Sequence, residues 1–266
     1  MSDGTRSLAG RKALVTGSTG GLGLAIADSL AREGCSIVLN GLISPEEGGA
    51  LGRDIARRHG VEAVFHGADL ARPEAIEALV WTAKAEFGEL DIVVNNAVVR
   101  QFAPVELMPI AGWDQSIAVN LSAAFHTIRL TLPGMRKRGF GRIVNVSSIY
   151  GLIGATNRAD YVTTKTALIG LTRAVALETA ESGITCNAIC PGTVPTEAIT
   201  ERICGIAASA GITEAAATKE YLATRQPTRR FVATEGVAAL IAFLCGEGGR
   251  DITGAALPVD GAWSIA

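Results

Sequence analysis

A serine, a tyrosine and a lysine in the middle of the chain have types and spacing that suit proton transfer. Tyr161 and Lys165 lie four residues apart in a stretch of helical character, so both side chains point to one helix face. A nearby ammonium group stabilises a phenolate and lowers the pKa of a tyrosine, which suits general acid–base chemistry near neutral pH. Ser148 lies thirteen residues before the tyrosine, at the end of an apolar run typical of a strand. Together the three predict a site that acts on an alcohol or carbonyl oxygen.

A glycine-rich segment near the amino end, Thr16–Gly23, predicts a phosphate-binding loop. It follows an apolar run and opens a helical one, and glycine lets the main chain turn sharply and approach a pyrophosphate closely. The free N–H groups and the positive dipole end of the following helix then favour an anion. The residues expected to contact the ligand here are Gly17, Thr19, Gly21, Leu22 and Gly23. We therefore expect a bound dinucleotide.

The spacing T-G-x-x-x-G-x-G, followed later by N-N-A, Y-x-x-x-K and P-G, resembles the short-chain dehydrogenase/reductase family over essentially the whole chain. The resemblance implies an oxidoreductase that moves a hydride between a nicotinamide and a secondary alcohol or ketone. In that role Tyr161 exchanges the proton, Ser148 binds the substrate oxygen and Lys165 holds the nicotinamide ribose. Asn120 would bind a water that completes the proton relay. A helix-interior amide bonded to main chain is the alternative for Asn120.

The same resemblance implies further cofactor contacts at the ends of the later strands. They are Asp69, Leu70, Asn96, Val98, Pro191, Gly192 and Val194, together with Tyr161 and Lys165. Val98 stands where the family has a glycine against the cofactor ribose. We expect its branched side chain to crowd that approach.

The choice of nicotinamide cofactor depends on the charge beside the adenosine ribose. A 2′-phosphate needs an arginine or lysine there. The glycine loop is uncharged at residues 18–20, and the second predicted strand ends at residues 39–42, Leu-Asn-Gly-Leu, without a base. No acidic residue stands there to hold a free 2′-hydroxyl either. The lack of a cation favours NAD over NADP.

Within the family, residues 118–132, 176–192 and 254–261 are similar to bacterial D-3-hydroxybutyrate dehydrogenases. The expected substrate contacts depart from that group, whose glutamine, histidine, lysine, tryptophan and lid glutamine are replaced by Arg100, Tyr150, Arg158, Thr193 and Arg202. Arginine can bind a carboxylate, sulfonate or phosphate through two parallel hydrogen bonds. With Ser148, these residues predict a small anionic hydroxy or keto substrate. A solvated surface position is the alternative for each arginine.

Other functions are open at this point. Arg158 and Arg202 match positions at which hydroxypropyl-coenzyme M dehydrogenases hold a sulfonate, so the substrate could be a hydroxysulfonate, or a sugar acid. A ketoacyl-thioester reductase would suit the fold, although the missing 2′-phosphate clamp speaks against such an NADP-dependent role. A cofactor-binding scaffold or regulator without catalysis would agree with Val98, but not with the intact set of Ser148, Tyr161 and Lys165.

These residues need a scaffold that brings strand ends to one edge. Short apolar runs alternate with helical runs from Lys12 to Val259, which indicates a parallel sheet covered on both faces. Right-handed crossovers then give an α/β fold with a Rossmann-type doubly wound sheet. We expect one domain over residues 1–266, with a small helical lid at about 192–227, for which a plain surface loop is the alternative. Residues 112–138 are predicted as a long helical stretch that breaks near Pro133.

Composition narrows the partners and the location. The chain has 266 residues, 48% of them hydrophobic, and its net charge of −2 offers no basic surface for nucleic acid. No apolar run approaches a membrane span, and the first residues lack a leader pattern, so we expect a cytoplasmic protein without membrane contact. Five cysteines without a C-x-x-C pair or zinc spacing argue against a metal site. The family resemblance implies a homotetramer.

Overall fold

Seven parallel strands form one sheet at the centre of the molecule. The computed structural model describes residues 6–266, apart from the side chains of residues 197 and 198. In chain order the strands are β1 (Lys12–Val15), β2 (Ser36–Gly41), β3 (Ala63–Gly67), β4 (Ile92–Asn95), β5 (Gly141–Val146), β6 (Ile184–Pro191) and β7 (Ala256–Val259). Their spatial order is β3-β2-β1-β4-β5-β6-β7, with every neighbouring pair parallel. The order reverses between β1 and β4, where doubly wound sheets bind their ligands.

Helices cover both faces of this sheet. They are α1 (Gly21–Arg32), α2 (Pro45–His59), α3 (Pro73–Phe87), α4 (Ile110–Ile117), α5 (Ala123–Arg138), α6 (Ala159–Thr179), α7 (Glu197–Ala210), α8 (Glu214–Ala223) and α9 (Thr234–Cys245). α1, α2 and α9 pack on one face, whereas α3, α5 and α6 supply apolar side chains to the other. The two layers explain why the strands are apolar without alternation, because side chains on both faces are buried.

Strand β1 shows how this burial is divided. Ala13 and Val15 lie in the core with α1 and α9, whereas Leu14, between them, lies in the opposite core with α3. All three side chains are completely buried. Successive residues of a strand point to opposite faces, so a parallel sheet with two helical layers buries every position. The arrangement confirms the predicted Rossmann-type α/β fold.

The long helical stretch is interrupted, but the prediction of a break near Pro133 is wrong. α5 continues through Pro133. Its packing against β4, β5 and α3 outweighs the one hydrogen bond that a proline removes. The interruption is a wider π turn at Ala118–Ser122, between α4 and α5, and Asn120 is buried within it. The irregularity therefore falls at Asn120, which the sequence analysis predicts to be functional, and π turns often occur at functional sites.

The segment predicted as a helix-prone lid, residues 192–227, contains α7 and α8. Thr196 and Thr213 cap these helices, since their side chains accept hydrogen bonds from the main-chain N–H groups of residues 199 and 216. Gly211 ends α7 in the left-handed conformation, with φ of 65°. The buried Gln226 ties the end of the segment to its start, because its Oε1 accepts a hydrogen bond from the main-chain N–H of Thr193.

Three further observations concern the part of the chain that the structure describes. Within residues 6–266, no helix is both long and apolar enough to cross a membrane. The described residues include no group of three or more histidine, cysteine or acidic side chains placed to hold a metal ion. All five cysteines are unpaired, and only Cys204 is partly exposed among them. Residues 1–5, on which the expectation of a missing leader rests, lie outside the described residues.

Candidate active site

The three residues selected for proton transfer come together at the end of β5. Ser148 follows this strand, and Tyr161 and Lys165 lie in the first turns of α6, beside β5 and β6. They are only 6%, 6% and 2% exposed, respectively. The Lys165 Nζ lies 5.6 Å from the centre of the Tyr161 ring and donates a hydrogen bond to the main-chain oxygen of Val146 at 2.7 Å. The main chain of β5 thus holds the ammonium group beside the phenol.

Charge around Tyr161 changes its proton affinity. Burial by itself raises the pKa of the phenol, but the positive charges of Lys165 and Arg100 and hydrogen bonding by Ser148 outweigh burial, so the pKa lies below its ordinary value. Burial also lowers the pKa of Lys165, by more than the neighbouring Tyr161 raises it. The contribution of Arg100, whose guanidinium lies 5.4 Å from the Tyr161 ring centre, is an effect that sequence reasoning missed. The site can hold and release a proton at the Tyr161 Oη.

The Asn120 side chain is bound to the main chain of the loop after β4. Its Oδ1 accepts a hydrogen bond from the Val99 N–H at 2.8 Å, and its Nδ2 donates to the Val99 carbonyl at 2.9 Å. The alternative of an amide bonded to main chain therefore describes this side chain, with the partner in a distant loop rather than in its own helix. These two bonds fix the loop that carries Arg100 at the next position.

A cavity of about 580 Å³ runs along the carboxyl ends of the strands. Every residue that the sequence assigned to the cofactor lines it, namely Gly17, Thr19, Gly21, Leu22, Gly23, Asp69, Leu70, Asn96, Val98, Tyr161, Lys165, Pro191, Gly192 and Val194. Its size lies within the range of small-molecule and cofactor sites. The residues chosen from separate stretches of the sequence therefore share one cavity.

The glycines of this cavity are required by close main-chain contacts. At Gly17 φ is +60°, and an added Cβ would lie 2.8 Å from the Ala97 Cα. At Gly23 an added Cβ would collide with the main-chain oxygen of Gly17. The Asn96 Nδ2 donates to the main-chain oxygens of Thr16 and Gly17, at 3.0 and 2.9 Å, and so holds the loop against β4. A narrow glycine loop before the N-terminus of α1 fits a pyrophosphate group.

Asn40 organises the far end of the cavity, a role that the sequence did not indicate. It is buried at the end of β2, and its Nδ2 donates to the main-chain oxygens of His66 and Ala68 at 3.1 and 3.2 Å. The neighbouring Asp69 turns its Oδ1 to the main-chain N–H of Ala71 at 2.9 Å. A polar residue near the end of an otherwise apolar strand could have drawn attention to Asn40, because a buried amide needs hydrogen-bond partners.

A second cavity, of about 620 Å³, opens beside the first. Every predicted substrate residue lines it: Arg100, Ser148, Tyr150, Arg158, Thr193 and Arg202. Ser148 and Tyr161 line both cavities. The candidate acid–base pair therefore lies at the junction of a glycine-lined cavity and an arginine-lined one.

Several residues of the second cavity escaped the sequence analysis. They are Phe102, Tyr221, Arg225 and Trp263, which come from the loop after β4, the lid segment and the carboxyl-terminal turn. The Arg158 guanidinium lies 3.9 Å from the Phe102 ring centre, and burial lowers its pKa. A cation stacked on an aromatic ring in this way is held in a fixed place. Arg158 is thus partly enclosed within the cavity and is not a solvated surface residue.

The chain is similar to proteins of known activity over nearly its whole length. The sequence profile described as short chain dehydrogenase matches residues 11–204. D-beta-hydroxybutyrate dehydrogenases from Rhizobium meliloti and Cupriavidus necator are 42% and 41% identical to it, over 96% of this chain and 98% of each relative. The chain belongs to the short-chain dehydrogenase family. With these relatives, the family establishes an oxidoreductase that acts on CH–OH groups and binds a nicotinamide cofactor.

A solved structure is similar over the same extent. L-sorbose reductase from Gluconobacter frateurii, crystallised with NADPH and L-sorbose, superposes with a TM-score of 0.92 at 29% identity, over 98% of this chain and 99% of that one. A 3-oxoacyl-[acyl-carrier-protein] reductase from Staphylococcus aureus is 33% identical over 94% of this chain and 97% of its own. The fold and the class of chemistry are thus shared by relatives that act on different molecules.

Proposed function

We propose that this enzyme uses NAD to interconvert a secondary alcohol and a ketone on a small anionic substrate, as a D-3-hydroxybutyrate dehydrogenase does. The observation that carries the proposal is the position of Ser148 and Tyr161, where the glycine-lined cavity meets the arginine-lined one. The similarity to two D-beta-hydroxybutyrate dehydrogenases at 42% and 41% identity supports it.

In the oxidation direction, Tyr161 takes the hydroxyl proton of the substrate. Its lowered pKa makes the phenolate available at a lower pH than in an ordinary tyrosine. The Ser148 hydroxyl, whose oxygen accepts a hydrogen bond from the Tyr150 N–H at 3.2 Å, can turn its proton from Tyr161 to the substrate oxygen. A nicotinamide held by Lys165 in the first cavity would supply the hydride acceptor for oxidation and the hydride donor for reduction. Reduction reverses the proton transfer, with Tyr161 as the acid.

Lys165 and Asn120 serve the proton path behind Tyr161. One Lys165 N–H is bonded to the main chain of β5, so two N–H donors are left for a ribose hydroxyl and for water. The Asn120 side chain is committed to Val99, so this residue would hold a relay water through its main-chain oxygen in the π turn. Its amide acts as a positioning group for the loop after β4.

The adenosine end of the first cavity supports NAD as the cofactor. Its lining at the end of β2 and in the glycine loop includes Thr19, Asn40, Gly41 and Leu42, which are uncharged. A 2′-phosphate would find no cation among these described residues. We expect a kcat/KM with NAD that exceeds the value with NADP by at least tenfold. A preference for NADP would contradict the assignment and favour the ketoacyl-thioester reductase instead.

Arginine charge near the reacting oxygen supports an anionic substrate. Arg100 and Arg158 lie 5.4 and 5.8 Å from the Tyr161 ring centre. Within the described part of the chain, neither forms an ion pair with a carboxylate, and burial lowers the pKa of Arg158. A carboxylate bound here would compensate both cations, of which Arg158 is partly buried and Arg100 is exposed.

A pair of matched substrates tests this proposal. We expect NAD-dependent oxidation of 3-hydroxybutyrate, with a kcat/KM at least tenfold above that of its neutral methyl ester. Arg158→Gln should raise KM for the acid but not for the ester, whereas Arg173→Gln, on the exposed side of α6, should change neither. Equal use of acid and ester would overturn the anionic substrate. A higher kcat/KM for a hydroxysulfonate or a sugar acid would keep the anionic class and replace the hydroxybutyrate-like assignment.

The quaternary structure and the motion of α7–α8 are part of the same proposal. Phe125 on α5 and Leu177 on α6 are large apolar side chains exposed on the monomer, which fits burial between subunits. We propose a cytoplasmic homotetramer in which the segment 192–227 closes over bound substrate as a lid. Sedimentation velocity would show the tetramer, and a monomer at micromolar concentration would contradict it. Slower proteolysis of segment 192–227 with NAD and substrate bound would support the closure.

A further inference from the structure

The second cavity contains two arginine pairs, and the first pair lies at its reacting end. Arg100 and Arg158 approach the same ring, that of Tyr161. Arg158 also stacks on Phe102 and lies 5.5 Å from the Tyr150 ring centre. These contacts hold both guanidinium groups close to the hydroxyl that exchanges the proton. An anion that binds here is attached next to the reacting carbon.

The second pair belongs to the lid segment and is centred on a different tyrosine. Arg202 lies on α7, and Arg225 follows the end of α8. Their guanidinium groups lie 5.7 and 4.4 Å from the ring centre of Tyr221, which α8 supplies. The Arg225 Nη1 donates to the main-chain oxygen of Tyr221 at 2.8 Å, which leaves its other donors to the cavity. The second arginine pair is thus formed by elements separate from those of the first.

Neither pair has its charge balanced by the described protein. The described lining of the cavity includes no aspartate or glutamate, and none of the four arginines forms an ion pair within the described residues. Elsewhere arginines are paired, for example Arg129 with Glu77 at 2.7 Å and Arg138 with Asp91 at 3.3 Å. Like charges gathered without partners repel, and an anion bound between them relieves the repulsion. Each pair combines a half-buried cation, Arg158 or Arg225, with an exposed one, Arg100 or Arg202, so each pair can accept an anionic group that enters the cavity.

We propose that the substrate is a hydroxy or keto acid with a second anionic group at its far end. One carboxylate binds between Arg100 and Arg158, beside the carbon that reacts at Tyr161, and the other anionic group binds between Arg202 and Arg225. The cavity of about 620 Å³ lies within the range of sites that hold ligands larger than a four-carbon monoacid. This inference rests on the proposed function, because it assigns the two ends of the substrate oxidised there.

Substrates of equal length with one or two charges test the inference on the wild-type enzyme. The probes are 3-hydroxyadipate and 3-hydroxypimelate, each compared with the ester in which only the far carboxyl group is methylated, and 3-hydroxy-6-sulfohexanoate, compared with the same 3-hydroxypimelate ester. We expect the kcat/KM with NAD for the best doubly charged acid to exceed that of its ester at least tenfold. A carboxylate or a sulfonate at the far end would each support the proposal. Equal values for acid and ester in all pairs would overturn it.

Two lid variants and one control locate the second anionic group. Arg225→Gln and Arg202→Gln should each lower the ratio of diacid to ester kcat/KM by at least threefold. Arg230→Gln removes an exposed charge three residues beyond the lid segment and outside the cavity lining, and it should keep the wild-type ratio. Thermal unfolding and the Kd for NAD, measured on each variant, separate a binding effect from a folding defect. An unchanged ratio in both folded lid variants would overturn the assignment.

The outcome also separates this inference from the function on which it rests. If 3-hydroxybutyrate and the monoesters are oxidised as well as the diacids, the dehydrogenase of small hydroxy acids stands and the second anion site fails. If no acid in the series reduces NAD, while the protein binds NAD and is folded, the proposed function fails as well. Diacid turnover that falls in the lid variants supports both.

Discussion

The two cavities that meet at Tyr161 are built in different ways. The cofactor side consists of strand ends and glycine turns, in which main-chain atoms lie so close that Gly17 and Gly23 have no space for a Cβ. The substrate side consists of long cationic and aromatic side chains from loops and from α7 and α8. One side is therefore determined by main-chain geometry and the other by side-chain identity.

This difference explains how relatives can share a fold while acting on different molecules. A cavity lined by main chain changes only if the fold changes, and a superposition with a TM-score of 0.92 shows that the fold does not. A cavity lined by side chains changes with single substitutions, such as a replacement of Arg100 or Arg158. The comparison predicts that substitutions on the first side affect cofactor binding, and those on the second side affect the choice of substrate.

Removal of the hydroxyl at the junction should have the largest effect, because both sides depend on it. Tyr161→Phe keeps the ring and its contacts but removes the proton donor and acceptor. We expect kcat to fall by a factor on the order of 10³, within the usual range for general acid–base groups, with the Kd for NAD changed less than about twofold. Steady-state rates and a fluorescence titration with NAD measure the two quantities. A variant with a tenth of the wild-type kcat would show that Tyr161 is not the proton-transfer group.

A single methyl group in the glycine loop should be the next most damaging change. At Gly23→Ala the new Cβ meets the Gly17 carbonyl and the Asn96 amide, so the loop must shift. We expect the Kd for NAD to rise on the order of tenfold and the free energy of unfolding to fall by about 1–3 kcal/mol. Gly170→Ala, where nothing lies within 4 Å of the added Cβ, is the matched control and should stabilise α6 by up to about 1 kcal/mol. Unchanged NAD affinity in Gly23→Ala would contradict a rigid main-chain cradle.

The sequence predicted the cofactor side more completely than the substrate side, and the comparison explains why. Strand ends and glycine turns are local features of a sequence. The alternation of apolar and helical runs was therefore enough to locate the strand ends that line the first cavity. Arg225 and Trp263 reach the second cavity from the lid segment and from the chain terminus. No local pattern relates these positions to Arg100, since only the packing of α8 and of the terminal turn brings them together.

Long-range bonds account for the other residues that sequence reasoning missed. Asp160, directly before Tyr161, is fully buried and accepts hydrogen bonds from the Ser116 hydroxyl at 2.6 Å and from the Gln101 N–H at 3.2 Å. Its partners lie on α4 and in the loop after β4, more than forty residues away in the chain. The position of the helix irregularity at Asn120 was missed for the same reason. Its side chain is bonded to Val99, whereas Pro133 is a local signal that packing overrides.

Charge removal at Arg100 should have a moderate effect that appears in the pH profile. The positive charge of Arg100 helps to lower the pKa of Tyr161, so Arg100→Gln should raise that pKa. Oxidation needs the deprotonated phenol, and its rate should therefore rise at higher pH than in the wild type. Reduction needs the protonated phenol and should persist to higher pH. At pH values below the rising limb of the wild-type profile, we expect kcat for oxidation to fall on the order of threefold to tenfold.

A second arginine of the same cavity provides the control for this shift. Arg202→Gln removes an equal charge near Tyr221, and Arg202 is not among the groups that lower the pKa of Tyr161. Its profile of kcat against pH should keep the wild-type limb even if KM rises. Equal displacement of both profiles would mean that the cavity acts on Tyr161 through its total charge rather than through the neighbouring Arg100.

The smallest expected effect lies at the one place where a side chain intrudes on the cofactor side. Val98 is half-buried and lines the first cavity. Val98→Gly should open the approach to the cofactor and lower the Kd for NAD roughly fivefold, which corresponds to about 1 kcal/mol of binding free energy. The added main-chain freedom should lower the free energy of unfolding by ~0.5–1 kcal/mol. Val98→Ala should have a Kd for NAD between those of the wild type and Val98→Gly. A Kd that rises as Val98 is trimmed would mean that its methyl groups contact the cofactor, so that one position on this side depends on side-chain identity after all.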